Sequence, residues 1–472
     1  MKRVVRIALF SLAFLLPIFL IGGVGFLSSS QVVTPPVPRS QMVARPELPS
    51  PQYDPNRPTV VVLLGNDFTE VTDFLSPYAL FAETHAFNVF AVAPTHQVTT
   101  LTGGLDIVPD FSLSEFDARI GKDPDVIVVP NIPNIERQEN RPLLTWMKKH
   151  AGANTILLSW CTGANTLALT GLLDGKAATS HWAYLAQMER SYPQINWKYG
   201  VRYVDNGSTV TSAGLTSGFD ATLHVISRLK GEQMARNVAA AFHYPSVRYM
   251  NEPQAPQYSI TLSDGIYILN GAYNWQKPSQ GVLLYEGVGE IELASLFDIY
   301  AGTFFSQMLA VAPTRQVITS QYGLHLIPRY SFNDLPDVAR LLVPGRDARG
   351  QTGGIVAAWK QTHAAPATYV HAESSALFAY VAPIEDLAQQ QNVPIANFFL
   401  RRLEYREPLQ LTGPGWPLLL FVEPLLIGGI SLGFVIWLDR WLTARRKLHE
   451  QGKQNIREAG HSDREHKEQY AS

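Results

Sequence analysis

The chain has 472 residues, 46% of them hydrophobic, which excludes a disordered protein and leaves room for two or three domains. A formal charge of −2 carries no basic excess for nucleic acid. A single cysteine, Cys161, excludes an internal disulfide and is either a packed small hydrophobe or a reactive thiol.

The first predicted element is an apolar run, Ile7 to Leu27, behind Lys2, Arg3 and Arg6. It is longer than a signal-peptide core and no A-x-A site follows, so it reads as an uncleaved anchor within 1–28, with a cleaved signal peptide as the alternative. Residues 29–58 are rich in Pro, Ser and Gln and read as an extended linker. A second apolar run, Trp416 to Leu438 within 414–439, is long enough to span a bilayer, and Trp416, Trp437 and Trp441 bracket it as interfacial anchors. Glu423 lies inside that run beside Pro424 and is expected to snorkel outward. Arg440, Arg445, Arg446 and Lys447 open a charged tail, 440–472. The positive-inside rule puts both termini in the cytoplasm and everything between the runs outside it, with the lipid bilayer as a partner.

Between the runs, buried strands alternate with helices. "TVVVLLG", "NVFAVAP", "DVIVVP" and "NTILLSW" read as strands, and "DFLSPYALFAETHAF", "RPLLTWMKKHAG" and "GANTLALTGLL" as helices. That order predicts an α/β fold with a parallel sheet covered on both faces. "VRYVDNGSTVTSAG" predicts a hairpin on an Asn-Gly turn. The pattern then repeats: "AVAPTHQV" returns as "AVAPTRQV" and "GLDIVPDFS" as "GLHLIPRYS". The chain therefore carries two tandem copies, 59–245 and a shorter 280–408, joined by a linker, 246–279.

Cys161 falls where a strand turns into a helix, at the sheet end where ligands bind in parallel α/β folds. The helix terminus favours an anion there and predicts a lowered thiol pKa. A thiol nucleophile needs a proton partner. Asp73, opening the helix after the first strand, is the leading candidate, and the other reading makes it only an N-cap. Glu70 is the substitute. Thr162 is placed to serve an oxyanion, Gly163, Gly65 and Glu70 to line a ligand site, and His181 to approach the thiol or stay structural. In the second copy Glu292 matches Asp73, while Glu373, Ser374 and Ser375 fall opposite Cys161, Thr162 and Gly163, so the thiol is lost. No GxxxxGK[ST], HExxH or paired cysteine ligands occur, so neither cofactor nor metal is expected.

"SWCTGANTLALTGLLDGKAATSHW", together with "STVTSAGLTSGFDATLHVISRLKGEQMARNVAAAFHYP" and "DFLSPYALF", resembles the ThiJ/PfpI family of the class I glutamine amidotransferase-like superfamily. The likeness is to isocyanide hydratase-like proteins and to the amidase-like domains of AraC-type regulators, and a degenerate echo covers 280–408. The resemblance implies a flavodoxin-like three-layer sandwich, often dimeric, so a homodimer or an intramolecular pairing of the two copies is expected. It also implies Cys161 as nucleophile, Asp73 as acidic partner and Thr162 beside an oxyanion site. Peptidase members carry His after the cysteine, where this chain has Thr162. The expected activity is hydration or hydrolysis of a small electrophilic molecule outside the cytoplasm, with no nucleic-acid partner. The alternative is a small-ligand or redox sensor coupled to the membrane.

Overall fold

The computed structural model describes residues 2–36, 48–261 and 264–469. Residues 37–47 of the expected linker, 262–263 of the second linker and 470–472 of the tail lie outside the described residues. The chain forms two compact units. One comprises Met1–Leu27, Ala272–Asn274 and Pro417–Ser472, and the other Ser28–Gly271 with Trp275–Trp416.

The first helix, α1 (Lys2–Val33), is longer than the expected anchor and runs into the segment read as linker. In the larger unit, the first copy lays out β1 (Thr59–Leu63), α2 (Val71–Glu83), β2 (Asn88–Ala93), β3 (Leu105–Val108), β4 (Phe111–Ser112), β5 (Val126–Val129) and β6 (Ile156–Ser159). Then follow α3 (Gly163–Thr170), α4 (Trp182–Ser191), the hairpin β7 (Tyr203–Asp205) and β8 (Thr209–Ser212), α5 (Leu215–Lys230) and α6 (Glu232–Ala241). Their sheet has the order β7-β8-β6-β5-β1-β2-β4, parallel except for β7 against β8. Apolar β-branched runs such as Thr59–Leu63 are buried on both faces, as a sheet covered by helices requires.

The segment expected as the second linker is not wholly irregular, since it holds the helix Gly265–Tyr273. The second copy contributes β9 (Ser279–Leu283), α7 (Glu290–Gly302), β10 (Gln307–Ala312), β11 (His325–Ile327), β12 (Tyr330–Ser331), β13 (Leu341–Val343) and β14 (Ala367–Tyr369). It closes with α8 (Val381–Gln390) and α9 (Val393–Leu403). Its sheet, β12-β10-β9-β13-β14, repeats the first copy's β4-β2-β1-β5-β6 and lacks the hairpin. Both sheets have the doubly wound, flavodoxin-like build of an α/β sandwich.

The copies pack face to face. Helices α2 and α7 lie against each other, and one hydrophobic core runs through both copies. A second core fills the other face of the first sheet. β11 also pairs antiparallel with β3, so one small sheet is shared across the copies. At that seam Arg329 grips Asp106 with two bonds, Nε to Oδ2 at 2.7 Å and Nη2 to Oδ1 at 2.8 Å. Both residues are buried.

In the smaller unit, α1 and α10 (Leu418–Gln469) are the two helices among the described residues that are long and apolar enough to cross a membrane. Gly428 of α10 admits Phe14 and Ile18 of α1 at close range, since an added Cβ would lie 2.8 Å from each. Arg6 pairs with Asp439 at 2.5 Å. Glu423 keeps Oε2 buried without a hydrogen-bond partner.

Arg329→Met leaves Asp106 buried without its cation. The expected loss is about 3–5 kcal/mol, read by chemical denaturation of the full chain, and Asp106→Asn on the same background recovers much of it.

Candidate functional site

β6 must turn into α3 within three residues, and the turn is made at Cys161. Its backbone adopts φ +52°, a left-handed conformation that non-glycine residues seldom take. Neighbours hold it there. The Cys161 amide donates to Ser212 Oγ at 3.3 Å, and its carbonyl accepts from Ser180 Oγ at 3.1 Å. Trp160 donates its indole N–H to Thr222 at 3.0 Å and lies flush on Gly218, where a Cβ would enter the ring. Gly163 abuts the backbone of Val129, whose carbonyl oxygen a side chain would strike. Its amide is spent on the Trp160 carbonyl at 2.7 Å. Gly65 likewise packs on Ile132 and Phe68, with its N–H on Thr69 Oγ1 (2.8 Å) and its carbonyl accepting from Thr99 Oγ1 (2.9 Å). Both glycines expected to line a ligand site thus shape the backbone and have their amides engaged.

Asp73 is the third residue of α2, as Glu292 is of α7. It is not the N-cap. Glu70 is, accepting the Asp73 amide on Oε2 at 2.7 Å. Asp73 is fully buried, its Oδ2 accepts from the Asn131 amide at 3.0 Å, and its Oδ1 has no partner. Glu70 Oε1 is also buried without a hydrogen bond. Burial pushes the Asp73 carboxyl up to about 7, opposed by the Asn131 N–H. Burial, with the charges of Asp298 and Asp73, holds Glu70 well above the usual carboxylate range.

The thiol departs from expectation in the same direction. Burial first, then the negative charges of Asp73 and Glu70, push Cys161 upward, while Arg402 and the Thr162 N–H pull the other way. The helix terminus is outweighed because the sulfur is shut from water beside two carboxylates. Thr162 heads α3 without a side-chain capping bond. It lines a cleft of about 630 Å³ with Asn131, Ile132, Asn165, Tyr184 and Met188. Cys161 itself is not among the lining residues and is only 8% exposed.

His181 is engaged elsewhere. It caps α4 by accepting the Ala183 amide on Nδ1 at 3.2 Å, which leaves Nε2 to donate to the Arg402 carbonyl at 3.0 Å. Burial lowers its pKa and keeps the ring neutral.

Arg402 and Asp298, both from the second copy, were not foreseen. Arg402 Nη1 donates to Asp298 Oδ1 at 2.7 Å, and Nη2 lies 3.7 Å from Glu70 Oε1. Asp298 Oδ2 accepts from Thr72 of α2 at 3.0 Å. The available signal was the carboxylate in the apolar run "SLFDIY". Arg402 gave none, because a basic residue in the last turn of a helix is ordinary. In the second copy the overlay of Glu373 on Cys161 fails. No helix starts there, and Glu373 is 82% exposed at its side chain and paired with Arg349. Glu292 faces Arg346 at 3.7 Å.

This fold and this strained strand-to-helix turn define an α/β sandwich with its one thiol at an elbow. Residues 58–228 match the DJ-1/PfpI family. An uncharacterised Streptomyces lividans protein is 30% identical over 142 residues, covering 29% of this chain and 96% of that protein. The isonitrile hydratase of Pseudomonas putida is 29% identical over 175 residues, 36% of this chain and 72% of the hydratase. The HTH-type transcriptional regulator GbdR of Pseudomonas aeruginosa is 30% identical over 151 residues, 32% of this chain, and the chain spans only 40% of that regulator's length. A solved DJ-1 superfamily protein of Salmonella typhimurium aligns at 21% identity with a TM-score of 0.35, over 40% of this chain and 100% of that one. The chain belongs to the DJ-1/PfpI family. Transcriptional regulators among its relatives run against the expectation of no nucleic-acid partner.

Gly163→Ala is expected to break the elbow, because the new methyl meets backbone rather than a movable side chain. A loss above about 2 kcal/mol should appear in thermal melts, against little change for Gly152→Ala, where an added Cβ meets only Asp123 at 3.7 Å.

Proposed function

We propose that the first copy is a cysteine-dependent hydratase or hydrolase for a small electrophilic molecule, an isonitrile being the first candidate from the hydratase relative. The observation that carries this is Cys161, held left-handed at the strand end next to a buried carboxyl whose pKa is about 7. A carboxyl at that pKa exchanges a proton readily at neutral pH. The thiol is neutral at rest, so its proton passes to Asp73 as sulfur bonds to the electrophilic carbon. Asp73 then returns that proton to the substrate. Water adds to the same carbon, the carbon–sulfur bond breaks, and a proton from the water restores the thiol through Asp73. The sum is addition of one water, with no oxidant or reductant. The cleft beside Thr162 and Asn131 supplies the approach.

We also propose that α1 and α10 anchor the protein with both termini cytoplasmic and the tandem copies outside, from the basic flanks at Lys2, Arg3 and Arg6 and at Arg440 to Lys447. A C-terminal reporter should then fluoresce in the cytoplasm, and a periplasm-dependent phosphatase at the same place should be inactive. The reverse result overturns this orientation.

A sensor reading draws support from the low exposure of Cys161. The two are separated by turnover. With an isonitrile, Cys161→Ala is expected to abolish hydration, and Asp73→Asn to cost at least about 100-fold. Because the carboxylate form of Asp73 takes the proton, kcat/KM should rise through about pH 7 and level off above it. Hydration retained in Cys161→Ala rejects the catalytic reading. Ligand binding without turnover favours the sensor.

A further inference from the structure

The last turn of α9 reaches the thiol site from outside the residues that match the family. It is fastened there at several points. The Arg402 carbonyl takes the His181 ring N–H, and the carbonyls of Leu403 and Glu404 each accept from Thr216 Oγ1 at 2.8 Å. The Glu404 carbonyl also accepts from Arg202 at 3.0 Å, and its carboxylate from Ser217 at 2.5 Å. Glu404 itself is left-handed, at φ +57°. So anchored, the turn points the Arg402 guanidinium between Asp298 and Glu70 Oε1, a buried oxygen without a hydrogen bond that lies 3.7 Å from Nη2. The charged and titratable groups that interact with it are Asp298, Glu70, Asp73, Tyr267, His181 and Cys161, and Glu404 acts on His181 beside it.

Two buried carboxylates next to a sulfur oppose a thiolate by simple Coulomb repulsion, and a fixed cation among them offsets it. We propose that Arg402, delivered by the second copy, is a positioning residue for Cys161, holding the Glu70–Asp73 carboxylates so that negative charge can form on sulfur. The degenerate copy thereby completes the site of the intact one. This rests on the reading of Cys161 as the reacting group, but its test reads the sulfur and not turnover.

The full chain in detergent has one cysteine, so ultraviolet thiolate absorbance and iodoacetamide labelling across pH report Cys161 alone. Arg402→Met is expected to move the titration midpoint upward and slow labelling at fixed pH by about tenfold, whereas Arg402→Lys keeps most of the wild-type profile. Arg402→Met leaves Asp298 without its cation and is open to misfolding. The charge-balanced pair Arg402→Met with Asp298→Asn avoids this and should still shift upward, by less than the single variant because a carboxylate leaves with the cation, with folding checked by circular dichroism. A midpoint that stays in place or falls in the folded double variant overturns the proposal. If the catalytic reading fails instead, hydration is absent from wild type while these shifts persist.

Discussion

A carboxylate inside a fully buried helix has to be matched by a cation or by hydrogen bonds, and Asp298 is matched by both. Its guanidinium partner is Arg402 and its hydroxyl partner is Thr72. Thr72 belongs to the first copy, while Asp298 and Arg402 belong to the second. Satisfying one charge therefore joins the copies and also sets the electrostatics next to Cys161. Removing one member of such a group leaves the others stranded, which costs far more than the group contributes as a whole.

The rest of the interface follows the same logic. Helices α2 and α7 are buried along nearly their whole length, yet both carry polar residues. These residues find each other or reach across, as when Tyr322 donates to Glu83 at 2.6 Å. The Arg329–Asp106 fork and the β3–β11 ladder fix the register at the other end. The two copies thus differ at the turn that follows β6 in one and β14 in the other. One keeps the elbow and the thiol. The other has lost the elbow and keeps an acid, Glu292, opposite Arg346.

Most of the fold was legible because its signals are local. Apolar β-branched runs, an Asn-Gly hairpin and a repeated "AVAPT" stretch each report on neighbours in sequence. The elbow was legible too, since a strand–turn–helix change around one cysteine is a short pattern. What stayed hidden was long-range. His181 lies 20 residues beyond Cys161, but its ring is committed to a carbonyl of residue 402. The direction of the thiol shift was misjudged because a helix terminus is visible in sequence, whereas burial beside two carboxylates is not. The start of the linker stayed hidden for a simpler reason: α1 continues through the polar residues Ser28–Gln31, whose weaker helix propensity costs only a few tenths of a kcal/mol per residue.

Because the cation and the thiol lie on one chain, their meeting does not depend on protein concentration. A site shared between separate subunits empties on dilution, whereas a tethered partner is held at an effective concentration set by the linker, of order millimolar for a short flexible one. The shared β3–β11 sheet constrains the two copies further than a flexible tether would. For a protein present at a few copies per cell, such an arrangement leaves every molecule assembled.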